Sequence, residues 1–367
     1  MISLECDYNN GAHPKVLQRL IETNNEHTGC YGFDVYCDEA KRKIMAACDD
    51  YDADIFFMSG GTQTNATVID SILHSYEGVI SVDSGHINTH ECGSIEFTEH
   101  KIINVPNHNG KLRADVLENF MESFLADGQN MHSVFPGLVY ITFPTEFGTI
   151  YTAKELEELY NLCKYYKMPL YIDGARLGYG LTATGNDIDM PFLAKHCDVF
   201  YIGGTKIGAL CGEAVVFTHH NAYEHFFSIQ KQHGAVLAKG RLLGLQFDAL
   251  FTDNLYFDLA RNANKGNKKS RQINGLVNEW YLEDMSENIR SVLTNRRVNG
   301  FHIGAFALYG YKKDPDQKGH LIIDEEAAAV VREVFTLFAQ GYGKTAIARM
   351  LNDRGIPNPT EYKRLHG

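Results

Sequence analysis

The chain has 367 residues, of which 44% are hydrophobic, so it is long enough for two domains with buried cores. It contains no run of 18 apolar residues, and its first seven residues lack the basic start and apolar centre of a signal peptide, so we expect neither a membrane span nor a secretory leader. The net charge of -12 is uneven: residues 266–367 hold 15 Lys and Arg against 12 Asp and Glu, which is +3, and leave -15 for residues 1–265. The acidic part needs no polyanionic partner, whereas the basic part can contact one.

The eight cysteines lie between Cys6 and Cys211 and form no Cys-x-x-Cys pair. This spacing is typical of reduced core or surface thiols, not of a disulfide framework or a zinc site. We therefore expect a cytoplasmic protein.

A phosphate-binding turn is predicted near residue 60. The apolar run 53–58 reads as a buried strand, residues 59–65 read Ser-Gly-Gly-Thr-Gln-Thr-Asn, and residues 66–73 continue as an apolar helix. Glycines and hydroxyls at a strand-to-helix turn suit an anion, because the N–H groups of the first helical turn face it. Locally the same residues fit a plain helix cap at Thr62 or Thr64.

Histidines follow the next predicted strand, residues 78–82. His86 comes after Gly85, and His90, Glu91 and Cys92 lie close behind. A single histidine after a strand is usually structural or exposed. The spacing of the other three fits no ordinary metal site, so we expect no metal.

A carboxylate ends a later strand. Residues 168–172 read as a short buried strand, and Asp173-Gly174-Ala175-Arg176 follows it. Ligands of α/β folds bind at the carboxyl ends of parallel strands, which is where this carboxylate would point. A helix cap is the alternative for any one Asp-Gly pair.

Lys206 lies in a glycine-rich stretch that follows the strand 198–202. Gly203, Gly204, Gly208 and Gly212 remove side-chain bulk around its amine, so that a flat molecule can approach the backbone. Partial burial should lower the pKa of Lys206, and a lysine that binds a carbonyl group covalently needs such a setting. A turn with an exposed lysine is the alternative.

Strands and helices alternate over residues 53–217 at lengths typical of a mostly parallel sheet covered on both faces. The predicted class is therefore α/β.

Residues 1–265 resemble pyridoxal-phosphate enzymes of the aspartate-aminotransferase-like fold, and within it the threonine aldolase and β-eliminating lyase group. The segments that carry the resemblance occur in the family's order: 32–34, 59–65, 85–87, 145–149, 173–177 and 201–213. The resemblance implies pyridoxal 5'-phosphate as cofactor and a homodimer or homotetramer.

The resemblance also implies roles for individual residues. Lys206 would tether the cofactor and Asp173 would keep its ring nitrogen protonated, while His86 would stack on the ring. His86 or His132 would deprotonate the substrate's β-hydroxyl, and Arg176 would bind the cofactor's 3-hydroxyl or the substrate carboxylate. The remaining residues expected to bind the cofactor are Gly60, Gly61, Thr62 and Thr205.

The character of the sequence changes after residue 265. Residues 266–271 are polar and basic and read as a linker or fusion seam, and residues 272–367 resemble the recombinase domain of large serine recombinases. Residues 325–339 and 343–353 predict two amphipathic helices joined by a glycine turn, as in a helix-turn-helix unit. Plausible DNA contacts are Lys344, Arg349, Arg354, Lys363 and Arg364, although a charge of +3 is a weak electrostatic signal.

The predicted function is retro-aldol cleavage of a β-hydroxy amino acid such as threonine. In the family the chain continues into a small domain that supplies a carboxylate-binding arginine. Here the recombinase-like segment stands in its place, so we expect impaired turnover. The alternatives are an inactive fusion product with residual DNA affinity, and β-elimination or racemisation on the same scaffold.

Overall fold

The computed structural model describes residues 6–265, 307–317 and 319–366. The chain divides into two compact units, residues 1–268 and 269–367. Residues 266–306, which include the predicted seam and the start of the recombinase-like segment, lie outside the described residues.

A seven-stranded sheet forms the centre of the first unit. Its strands are β1 (Asp54–Met58), β2 (Glu77–Val82), β3 (Lys101–Val105), β4 (Phe135–Thr142), β5 (Leu170–Asp173), β6 (Val199–Gly203) and β7 (Glu213–Phe217). They lie in the order β1-β7-β6-β5-β4-β2-β3, and β7 runs antiparallel to both of its neighbours while the others are parallel. The α/β class with a mostly parallel sheet, predicted from the sequence, is confirmed.

Helices cover both faces of this sheet. They are α1 (Pro14–Glu22), α2 (Val35–Cys48), α3 (Gly61–Ile72), α4 (His86–Thr89), α5 (Ser94–Phe97), α6 (Ala114–Ala126), α7 (Ala153–Tyr165), α8 (Leu177–Leu181), α9 (Met190–Lys195), α10 (Phe226–Gln232), α11 (Arg241–Leu250) and α12 (Leu255–Lys265). Local signals set several of their ends: Asp34 caps α2, and Thr152 forms a capping box with Glu155 at the start of α7.

Alternation along the strands divides the core in two. Ile141, Ile172 and Ile202 belong to one apolar cluster, whereas Tyr140 and its neighbours Tyr171 and Tyr201 belong to the other, which also contains Val68 and Ile69 of α3. Successive side chains of a strand point to opposite faces, so the tyrosines share the face covered by α3. This face carries the polar groups of the candidate site.

The second unit contains a hairpin and three helices in the part that the structure describes. Its elements are β8 (Tyr311–Lys313), β9 (Leu321–Ile323), α13 (Glu325–Ala339), α14 (Lys344–Asp353) and α15 (Pro359–His366). The helices α13 and α14 match the two predicted from the sequence. In the described ranges, no helix of either unit is long and apolar enough to cross a bilayer.

Candidate active site

The carboxyl ends of the parallel strands meet at one edge of the sheet, which we call the carboxyl edge. The strands β1, β2, β4, β5 and β6 end there, and the antiparallel β7 begins there with Glu213, opposite Met58 and Gly203. The predicted phosphate turn, His86, Asp173 and Lys206 therefore converge on one place. Ligands of open α/β sheets bind in such a place.

Asp173 is buried and held by hydrogen bonds. Asn65 Nδ2 and the Tyr140 hydroxyl donate to Oδ2 at 2.9 Å and 2.6 Å, and the Ala175 N–H donates to Oδ1 at 3.0 Å. Burial and the negative charge of Asp173 raise the pKa of Tyr140 and that of Tyr201, so both phenols stay protonated. The carboxylate thus has a fixed orientation and donors that suit its ionised form.

Lys206 follows β6 in a turn and is half-buried. Burial of its amine, assisted by the positive charge of Arg176, lowers the pKa of Lys206, although Asp7, Asp173 and Glu213 oppose this shift. Its Nζ lies 5.8 Å from the centre of the Tyr8 ring. A partly desolvated amine near a fixed carboxylate is available as a nucleophile at lower pH than an ordinary lysine.

The turn that carries Lys206 is fastened to the start of β7. The Thr205 hydroxyl donates to Glu213 Oε1 at 2.8 Å, and the Gly204 N–H donates to Glu213 Oε2 at 3.1 Å. Thr205 Oγ1 also accepts from the Gly212 N–H at 3.0 Å. Burial raises the pKa of Glu213 to about 8. The Thr205 hydroxyl thus already donates one hydrogen bond and accepts another, so its proton is not available to a cofactor.

The helix α3 begins at the carboxyl edge with an open N-terminus. Its first cap-to-helix bond runs from Thr64 N to Gly60 O at 3.0 Å, and no side chain of the described residues caps Gly60. The N–H groups of Gly61, Thr62 and Gln63 accordingly have no acceptor among the described residues. A side-chain carbon built on Gly60 would meet nothing within 4 Å. Three N–H groups without acceptors beside open space fit a phosphate.

His86 begins α4 and takes part in a hydrogen-bond network. Its Nδ1 lies 2.7 Å from Glu91 Oε1, and Asn65 Nδ2 donates to that oxygen at 2.7 Å as well as to Asp173. The hydrogen bond to Glu91 raises the pKa of His86. One ligand atom each from His86, Glu91 and Asp173 lie within 4.8 Å of one another. Asn65 Nδ2 thus bridges the carboxylates of Glu91 and Asp173.

Arg176 lies at the carboxyl edge, just before α8, and binds a carboxylate from the N-terminal segment. Its Nε and Nη2 donate to the two oxygens of Asp7 at 2.6 Å and 3.0 Å. Burial favours the neutral form of Arg176, but the bond to Asp7 outweighs it and raises the pKa of Arg176. The guanidinium that a substrate carboxylate would need is therefore already in a bidentate pair with Asp7.

Comparison with known proteins agrees with this geometry. The family model of β-eliminating lyases matches residues 7–294. The chain belongs to the β-eliminating lyase family. This match confirms the resemblance inferred from the sequence and extends past residue 265, where the sequence analysis ended it. A recombinase family model also matches residues 325–364, within the segment predicted to be recombinase-like.

The relatives of this β-eliminating lyase include threonine aldolases. It is 30% identical over 264 residues to a low-specificity L-threonine aldolase of a Pseudomonas species, covering 70% of this chain and 74% of the relative. A low-specificity L-threonine aldolase of Pseudomonas aeruginosa is 29% identical, over 71% of this chain and 74% of the relative. The structure of a Leishmania major threonine aldolase matches with a TM-score of 0.69 and 41% identity, over 72% of this chain and 76% of that one.

His132 is the predicted catalytic residue that the lyase fold does not bring to the site. It is exposed in the 3-10 turn Asn130–His132, before the amino end of β4, whereas Asp173 pairs with Thr142 at the carboxyl end. The length of β4 separates them by roughly 20 Å. His132 lies near the end of a connecting loop, and the sequence did not show to which edge of the sheet this loop returns.

Several polar residues of the site were given no role by the sequence analysis. They are Asp7, Asn65, Glu91, Tyr140, Glu146 and Glu213. Asn65, in the first turns of α3, and Glu146, in the turn after β4, lie in segments that carried the resemblance, and this was a usable signal. Tyr140 lies within an apolar strand, and only the assembled sheet shows that its hydroxyl donates to Asp173. Glu213 ends the segment 201–213 that carried the resemblance, but only the structure shows that it accepts hydrogen bonds from Gly204 and Thr205.

Proposed function

We propose that the protein is a pyridoxal-phosphate lyase that cleaves β-hydroxy amino acids such as threonine into glycine and an aldehyde. The observation that carries this proposal is the half-buried Lys206, with its lowered pKa, at the same strand edge as the buried Asp173. Family membership restricts the chemistry to that of lyases acting on amino acids. The named relatives favour threonine among the substrates.

The residues at the carboxyl edge fit this cofactor. Gly60, Gly61 and Thr62 form an open anion site at the positive end of the α3 dipole, and it would hold the phosphate. Asp173 has the charge to accept a hydrogen bond from a protonated ring nitrogen, and Lys206 has the amine for the covalent link. When bound, pyridoxal phosphate withdraws electrons from the Cα of an attached amino acid.

The chain's own side chains orient the reactants. His86, held through Glu91, presents its ring at the carboxyl edge and would stack on the cofactor. Asp173 would hold a proton at the ring nitrogen. Arg176 would bind the 3-hydroxyl or the substrate carboxylate, and a carboxylate must share or displace Asp7 to do so. Orientation decides which bond at Cα is cleaved, so these contacts govern specificity.

The test is a spectrum of the purified protein with and without threonine, followed by product analysis. We expect the visible absorption of protein-bound pyridoxal phosphate, and glycine with acetaldehyde in equal amounts. Pyruvate from serine or cysteine would instead favour β-elimination, and loss of optical purity would favour racemisation. A chain that binds cofactor without converting any of these amino acids would support the inactive fusion product.

A homodimer or homotetramer forms part of the proposal. Large apolar side chains are exposed close together before and at the start of α2: Tyr31, Phe33 and Val35. Contiguous exposed apolar residues are typical of protein–protein contacts. Light scattering during size-exclusion chromatography should give a mass of two or four chains, and a monomer would contradict this part of the proposal.

Weak DNA contact by the second unit and a cytoplasmic location are also proposals. The recombinase match supports the DNA contact, and so do exposed basic residues such as Lys344 and Arg349 on α14. Arg354, in contrast, is paired with both oxygens of Glu333. Binding of a DNA duplex by the full chain should weaken steeply with salt, because phosphate contacts release counterions.

A further inference from the structure

Glu146 is a half-buried carboxylate at the carboxyl edge, and the proposed function assigns it no role. It follows β4 by four residues. Its Oε2 accepts a hydrogen bond from the Thr142 hydroxyl at 2.8 Å. Thr142 pairs with Asp173 in the sheet register, and neighbouring residues in register point to the same face. The hydrogen bond from Thr142 therefore places the Glu146 carboxylate on the same side of the sheet as Asp173, where the cofactor would lie.

The turn that carries Glu146 is rigidly built. Thr145 N donates to Thr149 O and Gly148 N donates to Thr145 O, both at 2.9 Å, and the hydroxyls of Thr145 and Thr149 lie 2.6 Å apart. Gly148 has a φ of 74°, which a residue with a side chain rarely adopts. Thr149 Oγ1 also donates to the carbonyl of Asn109 at 2.7 Å. These bonds fix the backbone that carries Glu146, and the bond from Thr142 orients its carboxylate.

The hydrogen bonds of Glu146 leave one carboxylate oxygen available to accept a proton. Among the described residues, Thr142 is its only side-chain hydrogen-bond partner, so Oε1 receives no side-chain donor. Burial raises the pKa of Glu146, and the bonds from its own backbone N–H and from Thr142 only partly oppose this shift. The charge of Asp173 raises the pKa of Glu146 further, and the charge of His86 lowers it. A carboxylate with a raised pKa is a better base than an exposed one.

We propose that Glu146 is the catalytic residue that takes the proton of the substrate's β-hydroxyl. This inference rests on the proposed function, and it assigns to Glu146 the role that the sequence analysis gave to His86 or His132. As the Cα–Cβ bond breaks, the hydroxyl proton moves to the Glu146 carboxylate and the O–H electron pair becomes the second bond of the aldehyde carbonyl. The Cα–Cβ electron pair stays on Cα, where a returning proton completes glycine. No oxidant or reductant is required.

The test compares two reactions of the cofactor-loaded enzyme. Cleavage of threonine requires the β-hydroxyl proton to leave, whereas exchange of the α-proton of glycine in heavy water does not. We expect Glu146→Gln to lower kcat for threonine by about 100-fold or more, within the range for general base catalysis. Glycine exchange, followed by NMR, should stay within about threefold of the wild-type rate, and the cofactor absorption should persist.

Glu157→Gln provides the matched control, because Glu157 is an exposed carboxylate on α7. It should leave both reactions unchanged. Parallel loss of cleavage and exchange in Glu146→Gln would indicate a structural role and overturn the proposal, as would a cleavage rate within threefold of wild type. Failure of the wild-type enzyme to cleave threonine while binding cofactor is a distinguishable result, which would overturn the proposed function and with it this role.

Discussion

Both edges of the seven-stranded sheet carry pairs of histidine with a carboxylate, yet the pairs differ in environment. At the carboxyl edge, His86 contacts Glu91 at 2.7 Å, and the Glu91 side chain is fully buried. At the amino edge, His220 contacts Asp54 at 2.9 Å, but the His220 side chain is 80% exposed. His132 lies exposed at this same amino edge.

The difference lies in desolvation and convergence, not in residue type. At the carboxyl edge, burial shifts the pKa of Lys206 downward and that of Glu146 and Glu213 upward. Side chains from several strands and turns also meet there, because parallel strands end together. An exposed ion pair, as at the amino edge, contributes little energy. The following predictions test this contrast between the two edges.

Replacement of Lys206 should have the largest effect. Lys206→Ala removes the only group proposed to bind the cofactor covalently, so we expect loss of the visible cofactor band and a fall in threonine cleavage of about 1,000-fold or more. Absorption spectra and a glycine assay measure both. Retention of the band in the variant would contradict the assignment of Lys206.

Replacement of Asp173 should have the next largest effect. Asp173→Asn keeps the shape but loses the charge that stabilises a protonated ring nitrogen, so kcat should fall about 100-fold while bound cofactor remains detectable. The measurement is kcat for threonine, corrected for cofactor content. Unchanged kcat would show that the ring nitrogen has no need of this carboxylate.

A side chain at Gly60 should weaken cofactor binding without harming the fold. Gly60→Val places its carbons in the open space beside the free N–H groups of α3, and the extended backbone at Gly60 tolerates valine. We expect at least about a tenfold higher Kd for pyridoxal phosphate, which is roughly 1.4 kcal/mol. Fluorescence titration of the cofactor-free protein measures it.

Gly128→Val is the matched control for Gly60→Val. Gly128 also has nothing within 4 Å of a built side-chain carbon, but it lies in the loop before β4, at the amino edge. Its substitution should leave the Kd unchanged. Equal weakening by both substitutions would remove the distinction between the two edges.

Glu213 should make stability depend on pH. Burial raises its pKa to about 8 in the folded protein, against 4.5 for an ordinary glutamate. The folded state therefore binds more protons between these values, and the free energy of unfolding falls as pH rises through them. Glu213→Gln removes this dependence, so its Tm relative to wild type should rise by about 3 °C between about pH 6 and about pH 9. A constant Tm difference would contradict the burial argument.

Substitutions at the amino edge should have the smallest effects. His132→Ala and His220→Ala remove exposed imidazoles far from Asp173, so kcat and KM for threonine should stay within about twofold of wild type. Steady-state kinetics provide the measurement. A tenfold loss in His132→Ala would restore the role that the sequence first suggested for it.

Much of the site could be read from the sequence because its segments are local. Residue type alone indicates the local geometry of three segments: the strand before Asp173, the glycine-rich stretch around Lys206 and the turn at residues 59–65. The helices α13 and α14 were likewise evident from their amphipathic pattern. The position of His132 was not accessible in this way, because it depends on the edge of the sheet to which its loop returns.

By itself, the sequence determined the alternation of strands and helices, because hydrophobic period and glycine placement are local properties. Its motifs carried the resemblance to the family, and with it the residues proposed to bind the cofactor. Tertiary structure alone decided that Glu146 faces Asp173, that Glu213 fastens the turn of Lys206 and that Asp7 binds Arg176. Asp7 and Arg176 are far apart in the chain, as are Glu146 and Asp173, and Glu213 reaches the Lys206 turn because β7 pairs with β6. The burial of these groups, which shifts their pKa values, arises only when the sheet assembles.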